Sequence, residues 1–295
     1  MRDPVISDFF LCVGAQKAGT TWLARMLAHH PEIFFTPVKE IHYFDHLAGI
    51  TQHLSKRKRR SRRRKHYQRL LTQWHRFPTL SAQGAWYARY MGEPLDDRWY
   101  ASLFSDRRGR RLAGEATPEY AIIGTEGFEH VRRLAPDVRL IYIMRHPLTR
   151  AWSQILHHCR ANALDAARLS VDEVLAIALD PRFEAFGDYC RTIDDLHAVF
   201  AREQIWLGFY EDIHADRAAA LARICAFLGV AFRKQDFPDL SRRYNISQSV
   251  AMPEAVSDGL RARYQRQAEG VLERVGRVPE SWREAFALPG GKDTA

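Results

Sequence analysis

The segment Val13-Gly14-Ala15-Gln16-Lys17-Ala18-Gly19-Thr20-Thr21-Trp22 carries the residue types that grip a phosphate. Gly14 and Gly19 permit tight turns that bring backbone close to a ligand. The amides of such a loop, from Gln16 through Ala18 to Gly19, form an anion site with the N-terminus of the helix that follows. Lys17 adds a full positive charge. Thr20 and Thr21 are expected to cap the helix and to donate hydroxyls to phosphate.

The loop departs from the nucleoside-triphosphatase pattern, which requires Gly-x-x-x-x-Gly-Lys followed by Ser or Thr. Here the residue after Gly19 is Thr20, and the lysine comes two positions before Gly19. The strand-like run Val138–Met144 ends in Arg145-His146-Pro147 rather than in an aspartate that would hold magnesium. A cation stands where metal chemistry would otherwise sit. The pattern favours a nucleotide donor whose leaving phosphate is neutralised by side chains, with no metal ligand set. Arg145 is placed at the carboxyl edge of a parallel strand, where open α/β sheets bind ligands, and a guanidinium forks onto two phosphate oxygens. Ser153, two helical turns on, can point to the same edge.

These residues need a particular scaffold. Ile6–Val13 is a short apolar run ending at Gly14, as in a buried parallel strand. Thr20–His29 follows as a helix with Trp22, Leu23, Met26 and Leu27 on one face. Val138–Met144 and the helix Thr149–Ala161 repeat the unit, as do Gln204–Tyr210 and the helix Asp216–Leu228, closed by Gly229. Arg111–Ala116 supplies a further strand. This alternation predicts an α/β fold, a P-loop-like three-layer sandwich with a central parallel sheet flanked by helices. The polar stretch 46–110, with Trp74, Trp86, Tyr87, Tyr90, Trp99 and Tyr100, is expected to be a mostly helical insertion near the ligand edge. All 295 residues are read as a single domain with a frayed tail at 290–295.

Composition narrows the classes. A chain of 295 residues buries about three quarters of its unfolded surface and needs no staple. With 46% hydrophobic and 27% charged residues, wholesale disorder, collagen and a coiled-coil rod are excluded. The net charge of +9 equals the nine basic residues packed into positions 56–65, so the rest of the chain is neutral overall. Global basicity therefore gives no argument for nucleic-acid binding, and no nucleic-acid motif accompanies the run. The run itself reads as an exposed, partly helical, solvated segment, or else as a steering surface for an anionic acceptor. Cys12, Cys159, Cys190 and Cys225 show no metal or disulfide spacing and read as free thiols. No apolar stretch approaches the ~20 residues of a membrane span. The N-terminus lacks a signal-peptide layout, and a cytoplasmic location is expected.

Gly-x-x-Lys-x-Gly-Thr-Thr resembles the 5′-phosphosulfate loop of sulfotransferases that use 3′-phosphoadenylyl sulfate (PAPS), above all the branch holding the heparan-sulfate sulfotransferases and their bacterial relatives. Ile141–Ser153 is similar to that family's 3′-phosphate segment. Pro37-Val38-Lys39-Glu40-Ile41-His42-Tyr43-Phe44-Asp45 is similar to its Lys-Glu-x-His-Phe-Phe-Asp stretch. Weaker matches are Gly114–Tyr120, Phe209–Ile213, Ser241–Ser247 and the pattern from Pro253 to Trp282.

The resemblance implies an enzyme that moves a sulfuryl group from PAPS to an acceptor hydroxyl or amine, of a carbohydrate, lipid or small natural product. It implies that Gln16–Thr21 hold the 5′-phosphosulfate, with Lys17 also catalytic, and that Arg145 and Ser153 hold the 3′-phosphate. Arg242 or Arg243 reaches the same group. Trp22 stacks near the adenine or packs in the core. Glu40 is the implied base, a role suited to a glutamate whose pKa is raised by exclusion of water. His42 is the rival base. His42 and Asp45 are acceptor-side or supporting residues, Lys39 is an acceptor-side residue or a solvated surface cation, and Glu115 and Tyr120 position a hydroxyl or merely close a strand. Two other classes fit less of the chain: a nucleotide-dependent kinase, which would need magnesium, and an acidic-polymer-binding protein resting on residues 56–65.

Overall fold

The computed structural model describes residues 5–72, 83–242 and 250–289. Arg243, Trp74 and the tail 290–295 lie outside the described residues.

Five strands form one sheet: β1 (Phe9–Gly14), β2 (Ile33–Phe35), β3 (Leu112–Ala116), β4 (Arg139–Met144) and β5 (Ile205–Phe209). Their order is β2-β3-β1-β4-β5, and every pairing is parallel. Every residue of β1 and β3 is buried, which requires cover on both sheet faces and explains why these runs are apolar without alternation. The longer helices are α1 (Thr20–His29), α2 (Lys56–Thr72), α3 (Gly124–Leu134), α4 (Pro147–Ala161), α5 (Tyr189–Val199), α6 (Arg217–Phe227) and α7 (Glu254–Val275). The expected parallel sheet flanked by helices is the observed architecture. The expectation did not include β2, whose three residues are too few for a periodic signal.

The strand order places β1 between β3 and β4, so successive connections leave β1 on opposite sides. A crevice opens at such a switch point, outside the carboxyl ends of the strands. The chain delivers chemistry there repeatedly. β1 runs into Gly14–Thr21, β2 into Lys39–Asp45, β3 into Thr117–Glu119 and β4 into Arg145. The β1–β4 register shifts between Cys12 and Gly14, where the strand opens into its loop.

Where it is described, the regular structure of the stretch 46–110 is helical, in α2 and the short helices Gly84–Tyr90 and Asp97–Ser102, joined by turns and irregular segments. The basic run lies on α2, but it is not uniformly solvated. Arg59 is 1% exposed. Its guanidinium donates to the carbonyls of Leu54, Tyr90 and Gly92 at 3.2, 2.9 and 3.1 Å and to Glu93 at 2.8 Å. Arg62 donates to the Glu40 carbonyl at 2.9 Å and to the Tyr90 hydroxyl at 2.8 Å. This corrects the reading of the run as a solvated segment: two of its cations are structural ties, one of them to the segment that carries Glu40. All four cysteines are free. Among the described residues no helix is long and apolar enough to cross a membrane.

Candidate active site

The loop after β1 has the shape its glycines predict. Gly19 sits at φ 88°, a left-handed conformation that costs glycine little. A Cβ on Gly14 would lie 2.9 Å from the Tyr142 ring. One expectation is corrected here. Gly19 is the N-cap of α1 and no side chain caps the helix. Thr20 and Thr21 are its first two residues, so the amides at this end receive no side-chain cap and the helix terminus retains its pull on an anion.

Lys17, held at φ 69°, meets the end of β4. Arg145 Nη1 donates to the Lys17 carbonyl at 3.1 Å, its Nε donates to Thr149 Oγ1 at 3.2 Å, and its guanidinium lies 4.7 Å from the Tyr210 ring centre. The backbone here is pinned from outside. The Tyr189 hydroxyl donates to the Arg145 carbonyl at 2.6 Å, and Glu211 accepts from the His146 amide at 2.9 Å. Ser153 is half-buried on α4, one turn beyond Thr149, so it shares the helix face that Arg145 touches. Burial pushes the Lys17 ammonium below its ordinary value, and the charges of Arg160 and Arg145 push it further. Arg160 is a cation of this site that sequence reading passed over. Its only signal is spacing: Thr149, Ser153, His157 and Arg160 recur along one face of α4.

The segment after β2 brings a second cluster to the same edge. Lys39 pairs with Glu40. His42 Nδ1 lies 3.0 Å from Asp45 Oδ2, which only accepts, so the ring carries a proton there. Thr51 also donates to Asp45. His42 Nε2 is 3.8 Å from Glu40 Oε2, and Nδ1 is 3.9 Å from Glu119 Oε2. One ligand-type atom from each of Glu40, His42 and Glu119 lies within 4.8 Å of the others. Burial pushes the Glu40 carboxyl up, but Lys39, His42 and Arg62 outweigh it and hold Glu40 below its ordinary value. That corrects the expectation of a raised pKa: exclusion of water is present, yet three cations surround the group. Burial pushes His42 down, but Asp45, Glu119 and Glu40 outweigh it and hold the imidazole above its ordinary value. The two shifts run in opposite directions: the surroundings favour the carboxylate form of Glu40 and the protonated form of His42.

Three expected site residues turn inward. Glu115 is 0% exposed and accepts from the Ile41 amide at 3.0 Å and from the hydroxyls of Tyr100, Thr117 and Tyr120 at 2.7, 2.7 and 2.8 Å. With four donors already on it, and Tyr120 equally buried, the pair ties β3 to the Glu40 segment and presents nothing to an acceptor. Trp22 takes its packing alternative: it is buried, and its Nε1 donates to the Leu240 carbonyl at 3.3 Å. Arg242 is exposed and pairs with Asp239 at 3.6 Å.

Glu119 was missed within a motif that pointed to its neighbours. It is 8% exposed. Its Oε1 accepts from Gln16 Nε2 at 3.3 Å, and its buried Oε2 has no hydrogen-bond partner. Burial pushes its carboxyl above the ordinary value, against the pull of His42. Gln16 therefore turns toward this carboxylate and bridges the phosphate loop to the second cluster.

The model of the Sulfotransferase family matches residues 10–234 of the chain. No curated protein matches it in sequence. Solved structures share the fold. A sulfotransferase from Alicyclobacillus acidocaldarius is 22% identical, covers 95% of this chain and 99% of its own, and superposes with a TM-score of 0.64. The sulfotransferase domain of the Synechococcus PCC 7002 olefin synthase is 18% identical over 94% and 98% of the two chains, with a TM-score of 0.55. Mouse sulfotransferase SULT7A1 complexed with PAP is 16% identical over 97% and 89%, with a TM-score of 0.52.

Proposed function

The chain belongs to the sulfotransferase family, and from that premise we propose that it transfers a sulfuryl group from PAPS to an acceptor hydroxyl or amine. The observation that carries the reading is the hydrogen bond from Arg145 to the Lys17 carbonyl, 3.1 Å long, which brings two cationic residues to one edge of the sheet. The fit to a bisphosphorylated nucleotide is electrostatic. Lys17 is desolvated and crowded by Arg160 and Arg145, a repulsion that a bound anion relieves. The mouse relative is complexed with PAP, a ligand of that charge class.

PAPS supplies the sulfuryl group, whose bond to the 5′-phosphate breaks as a bond to the acceptor forms. Lys17, the loop amides and the hydroxyls of Thr20 and Thr21 hold the phosphosulfate. Lys17 neutralises charge that develops on the leaving phosphate oxygen, an electrostatic contribution of several kcal/mol in sites of this kind, on the order of 3. Arg145 and Ser153 hold the 3′-phosphate, with Arg242 or Arg243 closing over it. Glu40 takes the acceptor's proton, because its neighbours favour its carboxylate form whereas those of His42 favour the protonated imidazole. Lys39, His42 and Asp45 hold Glu40 in place from the acceptor side. In this route side chains neutralise every charge, with no metal ion required, and we assign the protein to the cytoplasm.

The test is calorimetric. Lys17→Ala is expected to weaken binding of 3′-phosphoadenosine 5′-phosphate at least tenfold. Unchanged affinity would overturn the nucleotide assignment.

A further inference from the structure

Beside the nucleotide edge lies a cavity of about 560 Å³, within the size range of sites for small organic molecules. Gln16 and Glu119 line it, so it adjoins both the phosphate loop and the Glu40–His42 cluster. His157, also in its wall, feels the charges of Lys17 and Glu40. Much of the remaining lining is apolar: Ala161 from the end of α4, then Ile177, Phe183 and Phe186 from the segment that follows.

The charge of this wall is what separates acceptor classes. Its acidic members are Glu119 and Asp180 and its one permanent cation is Arg182; none of the nine basic residues at 56–65 lines it. Its histidines are His53, His157 and His158; burial, with nearby cations, pushes His53 and His157 below the ordinary imidazole value, which favours their neutral form. A polyanionic acceptor requires a cationic cleft, and here it would meet a buried carboxylate whose Oε2 has no hydrogen-bond partner. That oxygen repels an acid and accepts from a neutral donor.

We propose that this cavity is the acceptor site and that it takes an uncharged alcohol with an aromatic or aliphatic body, rather than an acidic glycan. The proposal rests on the sulfuryl-transfer reading for the fate of the bound alcohol, but binding itself does not. The alcohol's apolar body packs on Ile177, Phe183 and Phe186. Its hydroxyl reaches the Glu40–Glu119 side of the cavity, gives its proton to Glu40 and forms the new bond to sulfur as the bond from sulfur to the 5′-phosphate oxygen of PAPS breaks and 3′-phosphoadenosine 5′-phosphate leaves.

The full chain is titrated without nucleotide, using 2-naphthol as the neutral probe and a heparin oligosaccharide as the acidic one. Saturable naphthol binding is expected, at least tenfold weaker in Phe183→Arg and weakened also in the milder Ile177→Ser, with circular dichroism unchanged. Naphthol binding indifferent to both substitutions overturns the proposal, as does saturable oligosaccharide binding that competes with naphthol. Transfer from radiolabelled PAPS is then followed. Label on naphthol supports the assignment, and label on the oligosaccharide alone overturns it. A chain that binds naphthol as described but fails to bind 3′-phosphoadenosine 5′-phosphate defeats the sulfuryl-transfer reading and leaves the cavity assignment standing.

Discussion

The Arg145 guanidinium donates to the backbone carbonyl of Lys17, 128 positions away in the chain. One bond thereby joins the end of β4 to the loop after β1, and the two cations are held to a common edge despite their mutual repulsion. The bond braces the loop after β1, and under the proposed function the same guanidinium carries charge toward the nucleotide.

Arg145→Ala removes both. A hydrogen bond involving a charged group contributes about 1.5–3 kcal/mol, so affinity for 3′-phosphoadenosine 5′-phosphate is expected to fall by at least tenfold. Arg145→Lys keeps the charge and loses the fork, and it is expected to recover only part of the loss. Calorimetry checks both variants. An affinity equal to wild type in Arg145→Ala would show that the arginine is a brace alone.

Glu40→Gln is expected to keep nucleotide affinity and to lose turnover by about two to four orders of magnitude, the usual contribution of a positioned base. The measurement is kcat in single-turnover experiments beside calorimetry on the same preparation. Full turnover in the variant transfers the base role to His42.

The pH profile separates the same two groups. Glu40 is held below its ordinary value by Lys39, His42 and Arg62, so its basic form is already populated at pH 5 and above. A rate limited by Glu40 is level from there through neutrality and falls only in stronger acid. His42 is held above its ordinary value, so a rate that needed neutral His42 would climb with pH through and above the imidazole range. For stability the sign also follows. The depressed Glu40 pKa contributes stability that is present above its unfolded value and lost as pH falls through the folded one. A rate that rises steeply between pH 6 and 8 would contradict the assignment.

Glu115→Ala leaves the Ile41 amide and the hydroxyls of Tyr100, Thr117 and Tyr120 without their acceptor. Each buried orphan costs about 1–3 kcal/mol, and relaxation will recover part, so a loss on the order of 3–5 kcal/mol is expected by chemical denaturation. Thr117→Val removes one donor and should cost about 1 kcal/mol. A Glu115→Ala protein as stable as wild type would show that the hub is dispensable.

Arg59 and Arg57 test the basic run by contrast. Arg59 is buried with three backbone carbonyls and Glu93 on its guanidinium, whereas Arg57 is exposed. Arg59→Ala is expected to cost about 2–4 kcal/mol of stability and Arg57→Ala less than about 0.5 kcal/mol. Thermal unfolding of the pair measures the difference. Equal melting temperatures would return the whole run to the solvent.

Much of the scaffold was legible from local pattern. Phe9–Gly14 and Arg139–Met144 are apolar enough to be buried strands whatever surrounds them, and Gly14, Lys17 and Gly19 announce an anion loop by type and spacing. The placement of Arg145 followed from the same logic, since a residue at the end of a parallel strand must reach the carboxyl edge. Where the pattern carried no contrast, it could not choose. In a helix of nearly all cations, nothing local distinguishes Arg59 from Arg57. In Gly114-Glu115-Ala116-Thr117-Pro118-Glu119-Tyr120, two glutamates four positions apart are equivalent on paper.

The amino-acid sequence by itself therefore determined four of the five strands, the glycine- and lysine-bearing loop after β1 and the family, because those depend on periodicity and on residues adjacent along the chain. Only the tertiary structure decided that Glu115 is a sealed hub while Glu119 faces the cavity, that Arg62 ties to the Glu40 carbonyl, and that Glu40 is more acidic than its burial alone would make it. The reason is physical. A side chain's type is carried by its own position, but its burial, its partners and its protonation are set by groups that are distant in the chain and close in space.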